Sequence, residues 1–298
     1  MKKRVFSGAR PTGRQHIGNY LGAIQNWVSL QDEYQCIYCI VDIHALTSLE
    51  GREAVSTLQQ NIQEMMLDWL AAGLDPQKSI LFVQSHVPEV MELHTLLSMV
   101  TPLSWLLRVP TFKEKVKIQP QNVNYGLLGY PVLQTADIVL YKAEVVPVGE
   151  DQLPHLELAR EIARRFNNLY GDTFPEPQAK LTQAPSILGL DGVQKMSKQL
   201  GNDIELAASP QETRKRIMTA FTDPARRYRS DPGHPEICNI YRLHQTFKSD
   251  KLEEIHSQCR NAAIGCVDCK KLLAQEINAA LEPLRERRRE LATKPEYI

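Results

Sequence analysis

The strongest constraint on what this chain can fold into lies in its first 84 residues, where short apolar runs alternate with long helical patterns. Val5–Gly8 reads as a short strand that runs into a loop containing Pro11 and Gly13. A helix follows from Gly18, with Leu21, Ile24, Trp27 and Val28 at helical spacing. Cys36–Val41 is a continuous apolar run of strand length, as expected for a strand buried in a parallel sheet. Glu53–Ala72 carries a helical pattern that Gly73 and Asp75-Pro76 end, and Ser79–Gln84 supplies the next strand. This order predicts an α/β fold, a Rossmann-like doubly wound parallel sheet. Ligands of such sheets sit beyond the carboxyl ends of the strands. The loop Gly8–Gly18 is therefore placed where a phosphate can meet backbone N–H groups and a helix N-terminus.

After Glu205 the pattern turns almost wholly helical, as in Lys251–Arg260 and Cys269–Leu284. The natural cut falls near residues 203–210, with Ser209-Pro210 as punctuation. It predicts a catalytic domain over 1–205 and a smaller, all-helical C-terminal domain over 206–298. No run approaches the roughly 18 apolar residues that span a bilayer. Met1-Lys2-Lys3-Arg4-Val5 carries charge with no long apolar stretch behind it, a poor signal peptide. A cytoplasmic protein with no membrane partner is expected. Because 35 basic residues balance 35 acidic ones, a nucleic-acid partner must meet a local basic patch. Candidates are Arg214-Lys215-Arg216, Arg226-Arg227-Tyr228-Arg229 and Arg285-Glu286-Arg287-Arg288-Arg289, although such runs often form only solvated helix faces.

Two motifs far apart in the chain carry chemistry. In RPTGRQHIGN, residues 10–19, Gly13 and Gly18 let backbone approach a nucleotide closely, while His16 and Asn19 offer polar contacts to phosphate and sugar. In Gln194-Lys195-Met196-Ser197-Lys198-Gln199 two cations sit in a loop flanked by Gly192 and Gly201, which can close over a leaving pyrophosphate. Alone, each motif has an ordinary reading as a structural His or a surface turn. Together and in this order they resemble the HIGH and KMSKS signatures of class I aminoacyl-tRNA synthetases. Asn19 replaces the final His and Gln199 the final Ser, but a hydrogen-bonding group and both lysines remain.

The segment 125–152, YGLLGYPVLQTADIVLYKAEVVPVGEDQ, is similar to the substrate segment of tryptophanyl-tRNA synthetases, as are RPTG at 10–13, VDIHALT at 41–47 and the run to Arg165. The resemblance covers nearly the full chain. It implies activation of L-tryptophan by ATP with Mg²⁺, then transfer to tRNA(Trp), in a homodimer with no DNA partner. Activation is attack of a carboxylate on the α-phosphate, so the protein must position reactants and neutralise charge. His16, Asn19, Lys195 and Lys198 are the implied catalytic residues. ATP contacts fall to Arg10 (where many relatives carry Gln), Pro11, Thr12, Gly18 and Asn19, and to Lys115. Gly149, Glu150 and Asp151 face the ribose, and Ile187 and Lys195, Met196, Ser197, Lys198 and Gln199 complete the set. For tryptophan, Asp137 accepts the indole N–H, Tyr130 and Gln152 hold the amino group, and His44, Val146 and Val148 line the pocket. On its residues alone, Asp137 could equally cap a helix starting at Thr135-Ala136-Asp137. An indole-selective pocket needs no proofreading domain, and roughly 85–140 is too short to hold one.

Three rival functions share some of these features. A tyrosyl-tRNA synthetase has the fold and the motif pair but a different substrate segment. A small-molecule nucleotidylyltransferase needs no helical domain with gathered cysteines, and a non-catalytic tRNA-binding paralogue would have lost lysines or pocket residues. Relatives usually continue a few dozen residues past Ile298, so part of the anticodon surface is expected beyond the sequence given.

Of the six cysteines, Cys36 and Cys39 lie at an odd offset on a strand, on opposite faces, and read as core. The other four, Cys238, Cys259, Cys266 and Cys269, gather in the helical region with spacings x20, x6 and x2. Four such thiols suggest a metal rather than disulfides, although four unrelated buried cysteines remain the plain alternative. Some tryptophanyl-tRNA synthetases resemble this arrangement and carry a [4Fe-4S] cluster near the anticodon surface. The resemblance implies that cluster, with Zn²⁺ as the alternative.

Overall fold

The computed structural model describes residues 2–49, 51–118, 120–181 and 187–297, apart from the side chain of Lys115 among those singled out above. It contains one five-stranded sheet: β1 (Arg4–Ala9), β2 (Gln35–Ile40), β3 (Ser79–Val83), β4 (Val145–Val148) and β5 (Gln178–Leu181). All pairs are parallel and the order is β3-β2-β1-β4-β5. The chain thus winds outward from β1 in one direction and then, from β4, in the other. The switch point falls between β1 and β4. Arg10 follows the carboxyl end of β1 and Gly149 follows that of β4. Both loops leave the sheet where doubly wound folds bind their ligands.

The chain divides into two compact units. The first comprises Met1–Gly13, Asn26–Met66 and Gly73–Gln183, and includes the sheet. Alternation on the strands assigns Phe6, Ile37 and Cys39 to one core, shared with the helices Glu89–Val100, Tyr125–Leu140 and Leu153–Tyr170. Tyr38 takes the opposite direction, stacks on Trp27 at 5.1 Å and donates its hydroxyl proton to the Trp27 carbonyl. Cys36 and Cys39 are both buried, as core residues on the two faces should be.

The second unit comprises Arg14–Gln25, Leu67–Ala72 and Ala184–Ile298. It departs from the linear cut expected at 205 for reasons of hydrogen bonding. The Ile17 N–H donates to the Ile204 carbonyl and the Leu206 N–H to that of Gln15, so the His16 segment belongs with residues 204–206. Asp68 and Arg288, both nearly buried, form an ion pair at 2.6 Å, which ties Leu67–Ala72 to the long helix Cys266–Ala292. That helix packs with Pro210–Thr219 and Asn239–Thr246 around Ile217, Leu243, Leu273, Ile277 and Leu281.

Helix boundaries differ from the sequence reading in three places. The helix expected from Gly18 starts at Ile17 and passes through a π-helical stretch, Tyr20–Ile24, before continuing over Gln25–Leu30. Glu53–Ala72 is two helices, Gly51–Ser56 and Leu58–Ala72. The last helix starts three residues before Cys269 and runs through Pro283 to Ala292. No described helix is long and apolar enough to cross a membrane.

Leu97 is fully buried in the sheet core. Leu97→Ala should lower unfolding free energy by about 2–5 kcal/mol, read from the urea midpoint at unchanged m.

Candidate active site

In the second unit the first signature motif pairs through backbone with a segment that follows the second. Residues 15–17 pair antiparallel with 204–206, with His16 opposite Glu205. His16 caps the helix that follows. Its Nδ1 accepts the Asn19 N–H at 3.3 Å, and its own N–H donates to Asn19 Oδ1 at 3.0 Å. An imidazole whose Nδ1 accepts a backbone proton carries its own proton on Nε2, which leaves a donor for a ligand. Burial lowers the pKa of His16; Asp203 opposes this and Lys195 adds to it. Asn19 thus has a defined task in place of the family's His. Gly18 shows why the first motif needs glycine: a Cβ there would lie 3.0 Å from the His16 ring and 3.2 Å from Met196 Cβ. Met196, buried at the centre of the second motif, packs where a larger residue would stand.

The second motif leaves a short hairpin. Leu188 bridges Lys195, and the Met196 N–H donates to the Ile187 carbonyl. Two residues that sequence reasoning missed brace it. Asp191 accepts the N–H groups of Val193 and Gln194 and the Asn202 amide. Asn202, itself buried, accepts the Ser197 N–H at 2.7 Å and donates to the Lys195 carbonyl at 3.4 Å. A Cβ on Gly189 would sit 2.2 Å from Asn202. The Lys195, Lys198 and Gln199 side chains are exposed. Lys198 is 3.8 Å from Glu205, a third missed residue, which also faces Arg14 at 3.9 Å. These are long, half-exposed contacts worth little in water, so Lys198 can leave Glu205 for a phosphate.

The first unit holds the other expected residues. The helix Tyr125–Leu140 starts at the cap Asn124, so Asp137 is interior and not a cap. Asp137 is 2% exposed, and Gln84 Nε2 donates to both of its carboxylate oxygens at 2.8 Å. Desolvation pushes its pKa up to about 7, against the lowering effect of Gln84 and with help from Asp42. The His44 N–H donates to Gln84 Oε1 at 3.0 Å. That contact fixes the amide so that its NH₂ faces Asp137 and keeps the carboxylate an acceptor. Gln84 was read only as the end of a strand; nothing local to it signals this role.

Tyr130 is buried, 5.5 Å from the His44 ring, and its hydroxyl lies 2.6 Å from Thr111 Oγ1 and 2.8 Å from His155 Nε2. Burial raises the Tyr130 pKa, with Thr111 and Arg10 opposing. Val146 is buried and Val148 half-buried at the end of β4. Beyond them, Gly149 caps the turn Glu150–Gln152, and the Gln152 amide donates to Asp151 Oδ2. Arg10, after β1, donates to Ser48 Oγ at 3.0 Å. Pro11 is buried and Thr12 exposed beside it. The structure thus places Asp137, Tyr130, His44, Val146, Val148, Gln152 and Arg10 in one unit and His16, Asn19, Lys195 and Lys198 in the other. The Lys115 side chain lies outside the described residues.

The four C-terminal cysteines are free thiols. Burial pushes Cys269 up to about 12, with Cys238, Cys259 and Cys266 adding to it. Arg226 Nη1 stands 3.9 Å from both Cys259 Sγ and Cys266 Sγ. Among the described residues, however, no three His, Cys, Asp or Glu side chains converge as a single metal ion requires. Among the described residues no metal-binding group is thus seen for either the cluster or the zinc alternative.

With this geometry in view, the relationship to known proteins is direct. Residues 1–282 match the family described as tRNA synthetases class I (W and Y). The tryptophan–tRNA ligase of Thermotoga maritima is 48% identical over 99% of this chain and 90% of its own length. That of Aquifex aeolicus is 44% identical over 97% and 91%. The crystal structure of tryptophanyl-tRNA synthetase from Campylobacter jejuni, complexed with ADP and tryptophan, superposes with a TM-score of 0.89 at 37% identity, covering 99% of this chain and 91% of that one. A tyrosyl-tRNA synthetase from Archaeoglobus fulgidus shares the fold with a TM-score of 0.73 at 23% identity.

An Asp137 that must stay ionised to accept a proton gives a pH-dependent site. Since its folded pKa is raised to about 7, protonation below that pH turns one oxygen into a donor. The affinity for an N–H donor ligand should fall as pH drops from 8 to 6. Asp137→Asn should flatten that profile and weaken tryptophan binding, measured by fluorescence titration, by on the order of 100-fold.

Proposed function

We propose, because this chain belongs to the class I tRNA synthetases of the tryptophan and tyrosine family, that it is a tryptophan–tRNA ligase. It joins L-tryptophan to ATP as tryptophanyl-adenylate, releasing pyrophosphate, and transfers the aminoacyl group to the 3′ end of tRNA(Trp). The observation that carries the substrate reading is Asp137, a buried carboxylate whose donor among the described residues is a fixed amide. The indole N–H satisfies it. A ligand without that donor leaves the carboxylate under-satisfied at a cost of about 1–3 kcal/mol or more.

The chemistry follows from the charges. A tryptophan carboxylate oxygen attacks the α-phosphorus, forming the mixed anhydride as the bond to the bridging oxygen of pyrophosphate breaks. His16, with its proton on Nε2, donates to the phosphate in flight, and Asn19 holds the ring by its backbone N–H and the His16 backbone by Oδ1. Lys195 and Lys198 neutralise pyrophosphate from a braced hairpin. Mg²⁺ enters with the ATP phosphates and spreads their charge. Arg10, Pro11, Thr12, Gly18, Lys115, Gly149–Asp151 and Ile187 complete the ATP contacts. Tyr130 and Gln152 hold the substrate amino group, and His44, Val146 and Val148 wall the indole. In the second step the terminal ribose hydroxyl of tRNA attacks the carbonyl carbon and AMP leaves.

The helical region beyond about 206 reads tRNA. Its support is a cavity of about 380 Å³ lined by Arg226, Arg227, Tyr228 and Arg229 together with Cys266; three cations and an exposed aromatic ring suit phosphate and base. Cys238, Cys259, Cys266 and Cys269 would hold a [4Fe-4S] cluster beside it. Support comes from their spacing in the sequence and from the Arg226 guanidinium, whose Nη1 stands near both Cys259 Sγ and Cys266 Sγ and suits anionic sulfur. The cluster's contribution would be to staple Cys238 to the 259–269 segment. Dimerisation is supported by the exposed Leu96, Met99, Leu103 and Leu107 on two consecutive helices.

Tryptophan-dependent exchange of pyrophosphate into ATP, without tRNA, tests the reading against its tyrosine rival; exchange with tyrosine and none with tryptophan overturns it. Lys195→Ala should cut the exchange turnover by about 100-fold or more with tryptophan affinity nearly intact. Anaerobically prepared protein should contain about four irons per chain, and Cys259→Ser should weaken tRNA charging more than adenylate formation. Neither iron nor zinc above trace, or equal loss in both assays, removes the cluster.

A further inference from the structure

Arg285 is a guanidinium buried to 4% exposure inside the second unit; among the described residues its hydrogen bonds go to neutral acceptors, and the Glu282 carboxylate acts on it only through space. Its Nε donates to the Leu206 carbonyl at 3.1 Å, Nη2 to Thr213 Oγ1 at 2.9 Å and Nη1 to Asn278 Oδ1 at 2.7 Å. Taking a cation out of water to face neutral acceptors is costly. If packing alone were needed at this point of the Cys266–Ala292 helix, an apolar side chain of similar volume would serve better.

What the cation holds is informative. The Leu206 carbonyl belongs to the strand whose N–H, on the same residue, donates to Gln15 and whose Ile204 carbonyl accepts from Ile17. His16 lies between those two bonds. Glu205, which faces Lys198, lies between Ile204 and Leu206. A single planar, five-donor group on the long helix therefore holds the backbone that pairs with the first signature motif and carries Glu205, which faces Lys198 of the second. Thr213 extends the same grip to the Pro210–Thr219 helix. A Lys at 285 would supply one donor centre in place of a rigid fork.

We propose that Arg285 is a positioning residue for adenylate formation, fixing through the Leu206 carbonyl the 204–206 segment that pairs with His16 and carries Glu205, the resting partner of Lys198. The inference rests on the ligase reading above. It acts on turnover and leaves the tryptophan subsite, which lies in the other unit, untouched.

The test is pyrophosphate exchange by the full chain, wild type beside Arg285→Met, Arg285→Lys and Thr213→Val, with tryptophan affinity measured separately by fluorescence without ATP. Arg285→Met should lower kcat on the order of 100-fold, the effect of roughly ångström misplacement at a reacting centre. Tryptophan affinity should be unchanged, and Arg285→Lys should restore part of the rate. Unchanged kcat in Arg285→Met overturns the proposal, as does parallel loss of kcat and tryptophan affinity. If Arg285→Met shows no cooperative melt, Thr213→Val decides: a fall in kcat alone supports the proposal and wild-type kcat overturns it. Absence of tryptophan-dependent exchange in the wild type would remove the ligase reading itself, a result separable from any variant's.

Discussion

Two backbone hydrogen bonds, Ile17 to Ile204 and Leu206 to Gln15, join segments nearly two hundred residues apart in the chain, and much of the site's geometry follows from them. A pairing of three residues is too short to be stable by itself. It persists because its surroundings fix both sides. His16 and Asn19 cap each other on one side; Asn202 and Arg285 hold backbone on the other. Gly18 allows Met196 to pack within van der Waals reach of the pair. The loop-closure entropy of so long a connection grows only slowly with length, so a handful of buried, satisfied polar groups can hold it.

Asp137, the proposed indole acceptor, applies the same logic to one side chain. A buried carboxylate in a helix would ordinarily take up a proton. Gln84 opposes this by donating to both oxygens, and its own orientation is set by a backbone N–H that cannot rotate away. An acceptor presented this way discriminates by what a wrong ligand fails to donate, which is more selective than shape alone.

Those two constraints explain what was legible in the sequence and what was not. Strand β2 was readable because burial on both faces writes a continuous apolar run; β1 and β3, less evenly buried, were readable as short runs between helical patterns, and all three boundaries shifted by only a residue or two. The motif residues were readable because the chemistry restricts residue type at fixed local spacing. Gln84, Asn202, Asp191 and Glu205 were not, since each acts across a gap in sequence and each residue type is common in loops. Read locally, Asp137 looks as much like a cap as a ligand group, but Asn124 caps its helix thirteen residues earlier. The cut at 205 falls after the start of the second unit's last segment at Ala184 and misses residues 14–25 and 67–72, which a linear reading cannot hand to a later unit. The π-helical stretch after Asn19 has no sequence marker at all.

The departures from the family signatures become intelligible on the same basis. The final position of the first motif must satisfy the N–H of the residue three before it, and Asn19 does so through Oδ1 while its own N–H holds the imidazole. Asn is among the residue types best suited to short side-chain-to-backbone bonds. Gln199 stands exposed in the turn that Gly201 closes, where the Gly201 N–H donates to the Lys198 carbonyl. The backbone of the second motif is therefore fixed by Asn202 and Asp191, and its side chains at 195, 198 and 199 stay in solvent. That separation matters for catalysis. A cation that must meet pyrophosphate and later release it gains from a rigid base and a weak resting partner, because a strong ion pair would have to be broken in every turnover. The long, half-exposed contact of Lys198 with Glu205 is a resting partner of that kind, and it lies on the strand that carries the pairing with His16.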